Sequence, residues 1–225
     1  PNFAMEPLTP AYLEARQRSM QQSWKHVMHL LTQRSQPGAP LRAEARELLA
    51  QEDRVLAVFQ TVLDVREGGE RIRCHGDYHL GQVLWTGDDY VVTDFEGEPA
   101  RPLQERRLKH SPLYDVAGML RSFAYVSSSA LAGQPHEQQH QLARWTSYWS
   151  RWVRAHFLGA YVADVHEAPF WPRSGRDAAR LLMVHELEKA VYELGYELNN
   201  RPEWATIPLK GIAEIVHMSG VRAAA

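Results

Sequence analysis

His75–Leu84 reads HGDYHLGQVL, and Asp94–Pro99 reads DFEGEP. The two stretches crowd His75, Asp77, His79 and Gln82, then Asp94, Glu96 and Glu98, between short runs of strand character: RIRCH (71–75), QVLWT (82–86) and YVVTDF (90–95). Gly87-Asp88-Asp89 supplies a turn, so the last two runs read as a β hairpin. The five-residue step from Asp77 to Gln82 spans a tight loop, and the hairpin returns Asp94 beside it. Three side-chain oxygens are thus expected at one end of the β element. That set suits phosphoryl transfer, in which a carboxylate orients the acceptor hydroxyl and oxygen ligands hold a metal against the phosphates. Two other readings stay open on the residues alone. Asp77 and Asp94 could cap turns, and His75-x-Asp77-x-His79 could ligate zinc or iron, although no third well-placed His accompanies it.

Working outward, Thr9-Pro10 begins a helix that runs to about residue 34, before Pro37-Gly38. After Pro40, apolar residues at Leu41, Ala45, Leu48, Leu49, Leu56, Phe59 and Leu63 follow a helical period, so a single second helix is expected up to Gly68-Gly69. The Arg-rich segment 99–110 has no period and reads as a surface loop, with Arg101, Arg106, Arg107 and Lys109 in solvent; phosphate contact is their weaker alternative. Helices are expected at 112–131, 137–167, 174–200 and 208–218. Trp145, Trp149 and Trp152, at helical spacing, are expected to pack between long helices. Within 184–198, Val184, Leu187, Val191, Leu194 and Leu198 form a core stripe, and His185, Lys189, Tyr192 and Tyr196 form a second stripe on the opposite side. The second combines aromatic faces, phenolic hydroxyls and an ammonium group, which suits sugar binding; a solvated amphipathic face is the alternative. The fold class expected is α+β, mostly helical, with a small β hairpin.

Composition narrows the function classes. Of 225 residues, 44% are hydrophobic and 23% charged, with a formal net charge of -2. That balance belongs to a globular protein and argues against a dedicated nucleic-acid binder, which needs an excess of Lys and Arg. One cysteine, Cys74, cannot close an intrachain disulfide, and no apolar run is long enough to cross a membrane. A cytoplasmic protein without a membrane partner is expected. The chain opens at Pro1 without a basic or apolar leader, which reads as a processed chain or part of a longer polypeptide.

HGDYHLGQVL followed by DFEGEP, with Asp77 and Asp94 17 residues apart, resembles the catalytic and metal loops of the aminoglycoside-phosphotransferase-like kinases, which share the protein-kinase fold. Gln82 stands where the general pattern has Asn, and Glu96 where it has Gly. Both departures, together with SPLYDVAGMLRSFAY (111–125) and EKAVYELGYELNNRPEWATIPL (188–209), are similar to the narrower group of bacterial maltokinases, stand-alone or fused to trehalose synthase. The similarity covers about 70–218.

The resemblance implies Asp77 as the catalytic carboxylate, Gln82 and Asp94 as Mg²⁺ ligands, and His75 and Asp115 as structural supports of the catalytic loop. It further implies Lys189, Tyr192 and Tyr196 at the acceptor sugar, with ATP as co-substrate and maltose 1-phosphate as product. Ala124 and Tyr114 depart from the group, where an acidic and a basic residue are usual. On this reading residues 1–225 form a kinase C-terminal lobe. Leading helices occupy 1–68, the catalytic and metal loops 69–111, and a helical acceptor-binding part 112–225. The N-terminal lobe that grips ATP lies outside this chain, so the fragment alone is expected to be inactive. The competing readings are a kinase for another hydroxylated acceptor, such as an aminoglycoside or choline, and a non-catalytic module partnering trehalose synthase.

Overall fold

The computed structural model describes residues 3–34 and 42–220. In chain order it comprises β1 (Glu6–Pro7), α1 (Pro10–Arg34), α2 (Arg42–Leu49), α3 (Glu52–Gln60), β2 (Glu70–Arg71), β3 (Val83–Trp85), β4 (Tyr90–Val92), α4 (Leu103–Arg106), α5 (Leu113–Ala132), α6 (His136–Val165), α7 (Gly175–Asn200) and α8 (Thr206–Met218). Short 3-10 turns occupy Thr61–Asp64, Leu80–Gln82 and Pro202–Trp204. The described chain is mostly helical with two small antiparallel sheets, as expected.

Local chemistry accounts for the boundaries. Tyr12 donates its N–H to Thr9 Oγ1 at 3.3 Å, capping α1. The breaks read at Pro37-Gly38 and Pro40, and the helical position of Leu41, lie outside the described residues. The expected second helix is two helices, divided at Ala50-Gln51 without a Gly or Pro. Gln51 adopts φ -104, ψ 8, and Glu52 and Asp53 then occupy the first turn of α3, where negative charge favours a new N-terminus. Trp24 Nε1 also donates to Glu52 Oε1 at 3.2 Å, fixing the start of α3 against α1. Ser174 Oγ accepts the N–H of Asp177 to cap α7.

The β3–β4 hairpin pairs Val83 with Val92 and Trp85 with Tyr90. RIRCH, by contrast, contributes one strand residue, Arg71, to β2, because the partner is the two-residue Glu6–Pro7, and Ile72 adds only an isolated bridge to His110. Lys109 is buried and its Nζ donates to Glu6 Oε1 at 2.6 Å, so it is no solvent-facing loop residue. Segment 99–110 also forms the single turn α4.

The chain makes two compact units, each discontinuous in sequence. One comprises Gly68–Arg173 with the N-terminal segment through Pro7; the other comprises Leu8–Glu67 with the segment from Ser174 onward. In the first, α5 buries Leu113, Val116, Met119, Leu120 and Phe123, and Phe123 meets Phe157 of α6 edge-on at 5.8 Å. In the second, Met20, Trp24 and Leu31 of α1 are buried, as are Val184, Leu187, Val191, Leu194 and Leu198 of α7, the stripe expected from the period. Two expectations fail on burial. His185 is itself buried, 3.4 Å from Glu188, which also pairs with Arg16; i,i+3 pairing takes it out of the polar stripe. Trp145, Trp149 and Trp152 are exposed rather than packed between helices.

Candidate active site

The site grows from one face of α5. Asp115 Oδ2 and Oδ1 accept the backbone N–H groups of His75 and Gly76, at 2.6 and 2.9 Å. One turn on, Gly118 has no side chain because Tyr78 O lies 2.6 Å from where its Cβ would stand. A further turn on, Ser122 Oγ accepts the N–H of Leu80 at 3.3 Å and donates to Met119 O at 2.8 Å. Positions i, i+3 and i+7 of a helix share a face, so α5 holds the loop 75–80 at three successive points. Asp115 was legible in the sequence; Gly118 and Ser122 were not singled out, although their spacing from Asp115 carries the signal.

His75 then joins the two polar loops. Its Nε2–H donates to Thr93 O at 2.7 Å, and its Nδ1 accepts the N–H of Asp77 at 3.3 Å. One neutral tautomer satisfies both bonds and leaves neither ring nitrogen for a metal. The imidazole therefore spans from the residue before Asp94 to Asp77 itself. Gly76 and Gly97, at φ 88 and 78, let the loops touch: a Cβ on Gly76 would lie 3.3 Å from Gly97 Cα. Asp77 is largely buried, its carboxylate 3.6 Å from His79 Nε2.

Gln82 and Asp94 meet directly. Gln82 Nε2 donates to Asp94 Oδ2 at 3.0 Å, and Thr93 N–H donates to Gln82 O at 2.9 Å. Asp94 is exposed and sits at φ 63, the one non-glycine residue with positive φ among the described residues. Such strain persists where surroundings impose it and clusters at functional sites. One carboxylate and one amide, adjacent and facing solvent, are the oxygen donors of a hard divalent cation whose other positions go to phosphate and water. A closed site of nitrogen and sulfur ligands has no such basis: among the described residues no group of three or more His, Cys, Asp or Glu is arranged to hold a metal. Glu96 lies 3.5 Å from Arg106 Nη1, so the residue that replaces glycine in this loop serves an ion pair at its outer edge.

Buried groups behind the loop titrate accordingly. Burial, then the Asp115 charge, raises the Cys74 thiol well above its ordinary value. The same two causes raise Tyr78, and burial followed by Cys74, Asp115 and Tyr78 pushes Tyr161 up to about 12. All three stay neutral near pH 7, which leaves carboxylates as the anionic groups of this unit's site.

Lys189, Tyr192 and Tyr196 lie on α7, in the second unit. Lys189 and Tyr192 are half-buried, with Nζ 5.1 Å from the Tyr192 ring centroid. Tyr196 is exposed, and the Arg201 guanidinium covers both its ring, at 5.6 Å, and that of Trp204, at 4.8 Å. Arg201 and Trp204 were quoted in the sequence but not singled out.

Residues 14–182 match the phosphotransferase enzyme family. The chain is 34% identical over 166 residues to a glucosamine kinase of Mycolicibacterium smegmatis, covering 72% of this chain and 38% of that protein. It is 28% identical over 177 residues to a glucosamine kinase of Streptacidiphilus jiangxiensis, covering 77% and 38%. The chain thus spans well under half the length of these curated relatives. Among solved structures, a glucosamine kinase in complex with glucosamine, ADP and inorganic phosphate superposes with a TM-score of 0.78 at 25% identity, covering 94% of this chain and 46% of that one. A second crystal form gives 0.79 at 24% identity, covering 96% and 49%.

Proposed function

The chain belongs to the phosphotransferase enzyme family, and from that premise we propose that it carries the catalytic loops of an ATP-dependent sugar kinase. The observation that supports this reading is the His75 bridge, which ties the backbone N–H of Asp77 to the carbonyl of Thr93, the residue preceding Asp94, while Asp94 itself bonds to Gln82. Asp77 accepts the proton of the acceptor hydroxyl as that oxygen bonds to the γ-phosphorus and the bond to the ADP oxygen breaks. Gln82 and Asp94 would hold a magnesium ion, which when bound neutralises phosphate charge. Among the described residues the elements before the catalytic loop are helices, a 3-10 turn and two two-residue strands.

For the acceptor we assign maltose, phosphorylated at its anomeric hydroxyl, on the support of Lys189, Tyr192 and Tyr196 and the resemblance of 188–209 to the maltokinases. Glucosamine is the second reading, favoured by the relatives' names and by the sugar in one of their structures. An ammonium-bearing sugar calls for a carboxylate at its amino group, and none of the three residues assigned to the acceptor carries one, which favours the neutral sugar. Partnership with trehalose synthase stays attached to the maltose reading. The test incubates the full parent protein with Mg-ATP and maltose, glucose, trehalose, glucosamine or an aminoglycoside, reading products by mass spectrometry beside Asp77→Asn. Phosphorylated maltose that vanishes in the variant is the expected result. Phosphorylated glucosamine instead would transfer the assignment to the amino sugar, and no phosphorylated sugar from a folded protein would leave a kinase for an acceptor outside the panel, such as choline, or a non-catalytic module.

A further inference from the structure

The exposed tryptophans lie on a helix that is 30 residues long and has no buried residue. One side of α6 rests on α5, through the Phe123–Phe157 contact and through Arg154 Nη1, which donates to Leu120 O at 2.9 Å. The other side carries Trp145, Tyr148, Trp149 and Trp152, which are 69, 56, 43 and 49% exposed. Trp145, Tyr148 and Trp152 form one run of ring contacts, with Trp149 on the same face of the helix. Trp145 meets Tyr148 at 6.4 Å, Tyr148 meets Trp152 at 6.0 Å, and Trp152 stacks on His156 at 4.9 Å. Single exposed apolar residues need no explanation, but a contiguous aromatic face marks an interaction surface. At 100° per residue the same face continues through Gly159, Ala160 and Ala163. A Cβ on Gly159 would meet nothing within 4 Å, and both alanines are exposed.

We infer that α6 is the seam of a homodimer, packed antiparallel on α6 of a second copy about a two-fold axis level with Arg154 along the helix, on the aromatic side opposite its side chain. The large and small halves of the stripe select this occupant. With the axis there, Trp145 falls opposite the partner's Ala163, Tyr148 opposite the partner's Gly159, and Trp149 opposite the partner's Ala160. Trp152 falls opposite the partner's His156. Each bulky ring meets a small residue on the same flank of the seam, or the one imidazole at its centre, and the two-fold repeats every pairing. Arg144, Arg151 and Asp164 fall outside the stripe, so no like charges confront one another on it. Given the exposed fractions, covering these four aromatics on both copies removes about 900 Å² from water at the usual size of such side chains. The alanines and flanking residues extend that toward the roughly 1,200 Å² at which stable interfaces begin.

The test measures the mass of the full protein by light scattering and sedimentation over a wide concentration range, with Trp149→Ala and Ala160→Arg beside the parent. Both positions are exposed, so far-ultraviolet circular dichroism should be unchanged while dimer affinity falls on the order of a hundredfold in each. An independent arm introduces Ala155→Cys, next to the axis, or Ala143→Cys, on the same helix but off the stripe; the native Cys74 is buried. A bis-maleimide linker of about 10 Å should join the first to its own copy, the flank positions of helices packed roughly 8–10 Å apart lying beyond disulfide reach, and leave the second monomeric on a denaturing gel. A parent protein monomeric at every concentration would overturn the proposal. So would a dimer indifferent to both substitutions, or crosslinking at Ala143→Cys in place of Ala155→Cys.

Discussion

Asp94 shows how much one residue can be asked to do. Its φ of 63 lies in a region that costs most side chains of order 1 kcal/mol or more, but that Asn and Asp enter more readily than others. A replacement can therefore separate backbone geometry from charge. Asp94→Asn keeps a side chain that tolerates the left-handed conformation while removing the negative oxygen offered to a cation. We expect its thermal unfolding to stay within about 1 kcal/mol of the parent, while magnesium-dependent nucleotide binding to the full protein, followed by isothermal titration, weakens at least tenfold. Equal magnesium dependence in parent and variant would remove Asp94 from the metal-ligand set. The contact between Gln82 and Asp94 was legible in the sequence because a hairpin with a Gly87-Asp88-Asp89 turn has little choice of register. The bridging role of His75 was not, since sequence spacing cannot show which of two ring nitrogens meets which loop.

At the scale of elements, legibility followed the reach of the physics involved. Where a boundary is made by its own residues, as at Thr9-Pro10 or Ser174, the helix was found to within a residue or two. Where it depends on a distant partner it was missed. The α2–α3 break needs Trp24 and Glu52, and the two-residue strand β2 needs Glu6–Pro7. The α6 tryptophans show a different limit, for a helical period reports that a face exists and says nothing of whether the fold covers it. The α5 face beneath the loop 75–80 permits a sharp test. In an open helix Gly118→Ala would gain about 1 kcal/mol from propensity. Here the added methyl would stand 2.6 Å from Tyr78 O, so overpacking of about 1–3 kcal/mol should outweigh the gain. On the proposed kinase reading, the displaced loop should lower kcat of the full protein far more than it raises KM, because the strain falls next to Asp77. Ser122→Ala, which leaves the Leu80 N–H without its acceptor, should cost about 1–2 kcal/mol with a smaller kcat effect. A Gly118→Ala enzyme more stable than the parent and fully active would mean that the loop is not held by this face.

For the molecule as a whole, two units with separate cores imply that acid can act on one before the other, and Asp177 marks where. Its carboxylate Oδ2 accepts the N–H groups of Arg66 and Glu67, at 2.9 and 2.8 Å, fastening the end of the leading segment to the start of α7 within one unit. Burial by itself would raise its pKa. The two backbone donors, with Arg180 and Arg176 behind them, outweigh that, so the folded value lies below the ordinary 3.8. A carboxylate depressed on folding contributes stability that is fully present above its unfolded pKa and disappears as pH falls through the folded one. The contribution should therefore be complete at pH 7, begin to fade near pH 4 and be gone below the folded value. Asp177→Asn can keep one oxygen under both N–H groups, but it loses the negative charge and turns its amide N–H toward Arg180 Nη1, which Oδ1 now accepts from, so we expect it to be less stable than the parent by about 1–3 kcal/mol at pH 7. That difference should shrink toward zero as pH falls below 4. Trp24, fully buried, and Trp204 lie in this unit, and they report its unfolding when Trp85, Trp145, Trp149, Trp152 and Trp171 of the other unit are replaced by phenylalanine in both proteins. A gap that stays constant from pH 7 to pH 3 would show that the Asp177 charge is not what secures α7 to the leading segment.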